Sequence, residues 1–423
     1  MAQFSTACVA IAFTLLAFAR ELRAEPTVKA PAEYRFYFDP KFRGEAGTLS
    51  ITNAARLALR GEDEVLSGLP LKDRSGFWSI ATRLLAMIAI DLPIASYQLV
   101  LAHELLGHGA RYREFGGQFR AEIGAPLPFD LSPDHKVFPA NQTRPLYWDE
   151  LTIVHLGGQD VQSTAQRNLA FEGFSRGQLA RGDAFLYAGN ALTKMAQLIG
   201  ARDLDNAAHS MAAPRKWNAD GVRDWMKASI AFELIDPLLW FSLYASAYRY
   251  LVRGETDVAF PSLRVGDTRL FATSRVNVVP WGISPNVELF AALPKAVLSV
   301  ALRPGLGPNA ASILAEVGIG KINVLGPLQL NVGLAGWAQP GLWALHYVGR
   351  DTKHGVLIDF GPPIPAKPPP QTVLGIGGYV EAAARLRYVT LGTRITAKTA
   401  GIWSEKPLAP DVQVALMSGV ILY

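Results

Sequence analysis

The chain has 423 residues, of which 50% are hydrophobic and 18% charged, and its mean hydropathy is +0.16. That length allows two or three domains and a sizeable core, and the composition is apolar for a soluble protein. The net charge of +5 and the pI near 9.2 arise from Lys and Arg scattered along the chain, so nucleic-acid binding is not expected.

The apolar run from Ala10 to Ala19 has the length of a secretory h-region, although no Lys or Arg precedes it. It predicts an export signal over residues 1–24, with cleavage after Ala19 or Ala24. The only cysteine, Cys8, falls inside it, so the mature chain has no disulfide and no thiolate metal ligand. Any metal must then be held by His and carboxylates. Residues 25–76 read as a lead-in with a short helix at 54–60. From Phe77 the sequence turns apolar and helix-prone, with a kink or break expected at Pro93. The piece over 94–115 ends at Gly116-Gly117. It is apolar on most faces, which suits a helical core or a membrane. Arg83, Asp91, His103 and Glu104 interrupt it and favour a protein-lined interior.

Within this helix lies His103-Glu104-Leu105-Leu106-Gly107-His108-Gly109. Zinc hydrolases commonly use two His on one helix face with an adjacent Glu as proton acceptor. The ordinary i, i+4 spacing keeps the two His about 40° apart, whereas the i, i+5 spacing of His103 and His108 separates them by roughly 140° on an α-helix. One π-turn takes up the extra residue and returns both to one face, and Gly107 suits that distortion. The string resembles the His-Glu-x-x-Gly-His motif of the dipeptidyl peptidase III family, in which two His bind zinc and the Glu activates water. The resemblance implies Zn²⁺ on His103 and His108, with Glu104 as catalytic base. The family's second signature, a Glu-Glu pair, is not found here, so its peptidase specificity does not carry over. Residues 110–117 also resemble the tail of the motif in site-2-type intramembrane proteases.

The Pro-rich stretch 118–146 reads as a loop bordering the site, with His135 a solvated loop residue. A helix follows over 148–171 and contains Gly157-Gly158, a pair that allows another backbone to approach closely. Asp160, just beyond that point, is the first choice for a third metal ligand. Glu150, His155 and Glu233 are its rivals. Helices are also expected over 183–200, capped by Asp183, and over 219–251, where Glu233 suits a buried ion pair better than a metal.

After Arg253-Gly254 the helical period gives way to alternation, the best domain boundary in the chain. Segments such as 295–303, 313–320, 328–335, 379–388 and 412–423 put apolar residues on one face and polar or small ones on the other. They amount to roughly eight to ten strands of about ten residues. With an exported context and a terminal Tyr423, this resembles a bacterial outer-membrane β-barrel; a soluble β-sandwich is the alternative.

The expectation is therefore an α+β chain with a signal at 1–24, a helical metal-binding domain at 25–254 and an antiparallel barrel at 255–423. Its expected function is a zinc-dependent hydrolase, with a peptide or protein substrate, in the outer membrane or periplasm of a Gram-negative-type bacterium. Two competing readings are a non-catalytic outer-membrane assembly or transport protein with a structural His/Glu cluster, and an intramembrane site-2-type metalloprotease.

Overall fold

The computed structural model describes residues 31–68, 75–129, 136–142, 146–307, 311–341, 372–403 and 409–422. The expected signal with Cys8, His135, the Pro-rich stretch 361–370 and Tyr423 lie outside them. In chain order, β1 (Ala32–Phe38) and α1 (Gly44–Ser67) precede α2 (Phe77–Glu114), which carries the His-Glu motif. A two-stranded ribbon follows, β2 (Gly117–Glu122) with β3 (Lys136–Gln142). The helices resume as α3 (Trp148–Arg176), then after β4 (Gln178–Ala180) as α4 (Arg181–Gly200) and α5 (Arg202–Arg215). α6 (Ala219–Ala228), α7 (Ile230–Leu234) and α8 (Pro237–Tyr250) end the helical part. The strands are then β5 (Asp257–Ala259), β6 (Leu263–Val265), β7 (Thr268–Val279), β8 (Gly282–Leu293) and β9 (Ala296–Leu306). β10 (Ala311–Leu325), β11 (Leu328–Gln339), β12 (Val373–Arg385), β13 (Val389–Lys398) and β14 (Asp411–Leu422) complete them.

The chain is thus α+β, and its alternating segments form one antiparallel sheet of ten strands in the order β1-β14-β13-β12-β11-β10-β9-β8-β7-β6. The sheet is not closed into the expected barrel, because its two edges, β1 and β6, do not pair with each other. The physical reason lies at those edges. β6 has only three residues to offer, and on β1 the backbone groups that β14 leaves are met by α1, whose Ser50 accepts the Tyr37 N–H at 2.7 Å and whose Asn53 donates to the Arg35 carbonyl at 2.8 Å. β1 also joins the N-terminal segment to the sheet, across the boundary at residue 254.

The sheet has an inverted polarity. Its outward positions carry exposed apolar side chains, among them Leu302, Val317, Val380, Ile395 and Leu416. Its inward positions carry buried polar and charged ones, including Arg275, Glu288, Arg303, Glu316 and Glu381. β1 and β7 to β13 converge with α1 and α3 on one cavity, so the sheet curls round these two helices. The inward charges are paired. Arg167 of α3 binds Glu288 at 2.8 Å and Glu316 at 2.7 Å, and Lys321 binds Glu172 at 3.0 Å. Arg35 of β1 reaches Glu33 at 2.8 Å and also pairs with Glu381.

Elsewhere local chemistry shifts the expected boundaries. The helix predicted over 54–60 is the middle of the 24-residue α1. Pro93 does not break α2, because a π-turn at Met87–Asp91 precedes it and Leu92 N–H donates to the Met87 carbonyl, one residue farther back than in an α-helix. Asp183 is not a cap: it sits inside the first turn of α4 and binds Arg56 at 2.7 Å and Arg176 at 2.5 Å. The loop expected over 118–146 contains the β2–β3 ribbon, whose Phe119 lies against Gly109.

Candidate metal centre

The site begins with a helical irregularity. Leu101–His108 is wound as a π-helix within α2, as the i, i+5 spacing requires, and the two imidazoles meet edge to face with their centroids 4.7 Å apart. Their Nε2 atoms are 3.1 Å apart. Among the described residues His103, Glu104 and His108 form a group that can hold a metal ion, their ligand atoms lying within 4.8 Å of one another.

α3 makes this geometry possible by crossing α2 at very short range. A Cβ on Gly107 would lie 2.6 Å from Gly158 N and 2.7 Å from Gly157 C, and one on Gly157 would lie 2.7 Å from the Gly107 carbonyl. The Gly-Gly pair therefore serves the close approach expected of it. The same crossing brings the Val154 carbonyl to within 2.6 Å of His108 Nδ1. A carbonyl only accepts, so Nδ1 carries a proton and Nε2 is the atom turned towards His103 and Asp203. Burial lowers the His108 pKa, but Asp203 beside it outweighs that and pushes it up to about 9, so a metal has to displace the proton on Nε2.

A carboxylate not foreseen from the sequence completes the cluster. Asp203, at the start of α5, places Oδ2 3.3 Å from His108 Nε2 and 3.8 Å from His103 Nε2. With zinc bonds of about 2.0–2.2 Å, neighbouring donors in a tetrahedron stand roughly 3.3 Å apart. The separations of 3.1 and 3.3 Å meet that requirement, and the 3.8 Å between Asp203 Oδ2 and His103 Nε2 closes to it with a shift of roughly 0.5 Å in the Asp203 carboxylate. Burial raises the Asp203 carboxyl, but the charge and hydrogen bonds of the imidazoles outweigh it and hold the group well below the usual carboxylate range. The site thus brings an ionised carboxylate to two imidazole nitrogens, a donor set suited to a divalent cation once the His108 Nε2 proton has left.

A second observation concerns Gln197. Its amide nitrogen lies 3.2 Å from His103 Nδ1, while its Oε1 is buried without a partner. A half-turn of that amide exchanges the two atoms. Oε1 then accepts the Nδ1 proton, and His103 Nε2 is left with a lone pair for a metal.

The sequence candidates distribute as follows. His103, Glu104 and His108 are together. Asp160 is two residues beyond Gly158, about 200° round the helix, and so faces away from the His pair. It lies 3.4 Å from Arg111 and lines a cavity shared with Arg303 of the sheet. Glu150 accepts the Tyr147 backbone N–H at 2.9 Å and caps α3. Glu233 pairs with Lys194 at 2.6 Å in full burial, the ion pair expected of it. His155 is next to the site. Burial dominates its titration and pushes it down to about 4, with Asp203 opposing and His108 adding to the shift, so it stands there as a neutral imidazole.

These placements separate two carboxylates experimentally. Asp203→Ala is expected to weaken zinc binding by at least about 100-fold, the upper range for loss of a group that only orients a ligand, whereas Asp160→Ala leaves it unchanged. Competition titration against a chromogenic chelator measures both. The reverse order would return the third ligand to Asp160. No protein-family model, curated protein or solved structure matches this chain.

Proposed function

We propose that the chain is an exported, membrane-associated, zinc-dependent hydrolase whose substrate bond is a peptide bond, in keeping with the His-Glu-x-x-Gly-His string. The observation that carries this reading is the convergence of His103 Nε2, His108 Nε2 and Asp203 Oδ2 at separations suited to one tetrahedral ion, with Glu104 beside them. Bound Zn²⁺ supplies two things there, a lowered pKa for water and polarisation of a carbonyl. The protein's own groups divide the remaining work. Val154 and Gln197 orient the two imidazoles. Glu104 accepts the proton of the attacking water and returns it to the leaving amine. Asp203 offsets positive charge at the ion.

The membrane part of the reading rests on the outward apolar and inward polar faces of the sheet, the polarity of an outer-membrane protein. The metal part is tested by zinc content and hydrolysis of a peptide library. Purified protein is expected to hold one equivalent of zinc, lost in His103→Ala and in His108→Ala. Glu104→Gln is expected to keep zinc and to lose at least about 100-fold in rate, the contribution of a positioned base. Stoichiometric zinc that survives both His variants sinks the assignment. Cellular function unchanged in Glu104→Gln favours the assembly or transport reading instead, with the cluster structural.

A further inference from the structure

We propose that the gap between β1 and β6 is closed by helices, and that strands and helices together make one continuous wall facing the lipid of a bilayer. This rests on the membrane-association part of the reading above and is independent of the chemistry at the metal pair.

The path round the molecule can be followed element by element. From edge β1 the next neighbour is α1, which packs on both β1 and α2. α2 packs on α4, and Arg83 near its start donates to the Leu251 carbonyl at 3.0 Å, just past the end of α8. α8 packs on α4 and on β7, beside the other edge strand. The helices therefore bridge the two edges that do not pair.

Their outer surface continues the character of the sheet. On α2, Trp78 is 77% and Leu85 66% exposed, with Ile88 and Tyr97 exposed beyond them. On α8, Trp240 and Tyr248 are exposed. A soluble protein rarely leaves such an area of apolar surface in water. A second copy of the chain would cover one side of it, whereas this surface runs round both the strand and the helix sides. The charges are distributed accordingly, paired inside the curl of the sheet and missing from the outward positions of its central strands.

The lengths agree with a bilayer. Among the described residues α2 is the helix long and apolar enough to cross one by itself, and α8 reaches that length only together with α6 and α7, from which it is bent by 61°. The exposed apolar part of α2, from Phe77 to about Val100, rises roughly 36 Å, against about 30 Å of hydrocarbon. The long strands have 10 to 15 residues, enough to cross at a tilt of about 45°. The π-wound segment that carries the motif begins at Leu101, where the exposed run of α2 ends, so the metal pair sits at the level of one membrane–water interface.

Site-directed spin labelling tests the wall. In a Cys8→Ser background, nitroxides are attached at Leu85→Cys on α2, Leu302→Cys on β9, Leu416→Cys on β14 and Asp224→Cys on α6, with the full chain in vesicles of phosphatidylethanolamine and phosphatidylglycerol. The expected result is high oxygen and low nickel-chelate accessibility at the first three sites and the opposite at Asp224. Chelate access at Leu85 with lipid shielding at Leu302 and Leu416 overturns the helical closure and leaves the sheet alone in the membrane. Chelate access at all three removes the membrane reading itself. Shielding from both reagents with spin–spin broadening identifies a second copy as the occupant and overturns the proposal.

Discussion

Gly158→Ala is expected to abolish stoichiometric zinc binding without touching any ligand. The added Cβ would fall inside the His103 imidazole, against Cε1, Nδ1 and Nε2 together. The ring has no easy retreat, with the edge of His108 on one side and the Gln197 amide at Nδ1. Gly107→Ala strikes the same crossing from the other helix. Its Cβ would sit 2.6–2.7 Å from the Gly157-Gly158 backbone, which has no flexible side chain to move, so the two helices must part. Overpacking of this kind costs about 1–3 kcal/mol or more, and here it also spreads the His pair. Gly61→Ala in α1 is the control, since nothing lies within 4 Å of its Cβ and a helical Gly→Ala change stabilises by roughly 0.5–1 kcal/mol. Zinc content and unfolding midpoints of the three variants check this. Full zinc in Gly158→Ala would show that the His103 ring does not need its present place.

The parts of this site that were legible in the sequence depend on local rules. The i, i+5 spacing demands a π-turn because two residues five apart cannot share a face of an α-helix, and Leu101–His108 is wound that way. Gly157-Gly158 reads as a close crossing because two glycines weaken a helix for no local gain. Asp203 was hidden for the opposite reason. An Asp in the first turn of a helix is already explained by the helix dipole, and only the fold shows it beside His108. Asp160 drew attention by its closeness in sequence to the glycines, yet two residues of helix turn it from the His pair to Arg111 at the end of α2. In the sheet, alternation gave the strands but not the closure, which depends on which edges find partners. The clue to β1 was present. Glu33, Arg35 and Tyr37 alternate with Tyr34, Phe36 and Phe38, a strand pattern in a segment too short and too remote from its partner β14 to stand out.

The largest expected loss of stability comes from Arg167→Ala. Arg167 bridges Glu288 and Glu316, both buried on the inner face of the sheet, and so ties α3 to β8 and β10 at once. Its removal leaves Glu288 with Arg275 and Glu316 with Arg303, the latter pair at a loose 3.4 Å. Breaking a buried ion pair from one side costs about 3–5 kcal/mol, because the surviving charge stays desolvated. The double change Arg167→Ala with Glu316→Gln is expected to cost more than Arg167→Ala alone, since it also takes from buried Arg303 the carboxylate that faces it at 3.4 Å. Trp403 donates Nε1–H to Glu316 at 3.3 Å, so among nine tryptophans its share of the indole fluorescence, taken as the difference from a Trp403→Phe protein during denaturant unfolding in detergent, reports on the same cluster. An Arg167→Ala protein as stable as the parent would mean that water screens these carboxylates as it does surface pairs. The consequence reaches the metal centre, because α3 also carries Val154, Gly157 and Gly158. Zinc in Arg167→Ala is accordingly expected to be lost at the lower denaturant concentration at which α3 leaves the sheet, in step with the fluorescence change.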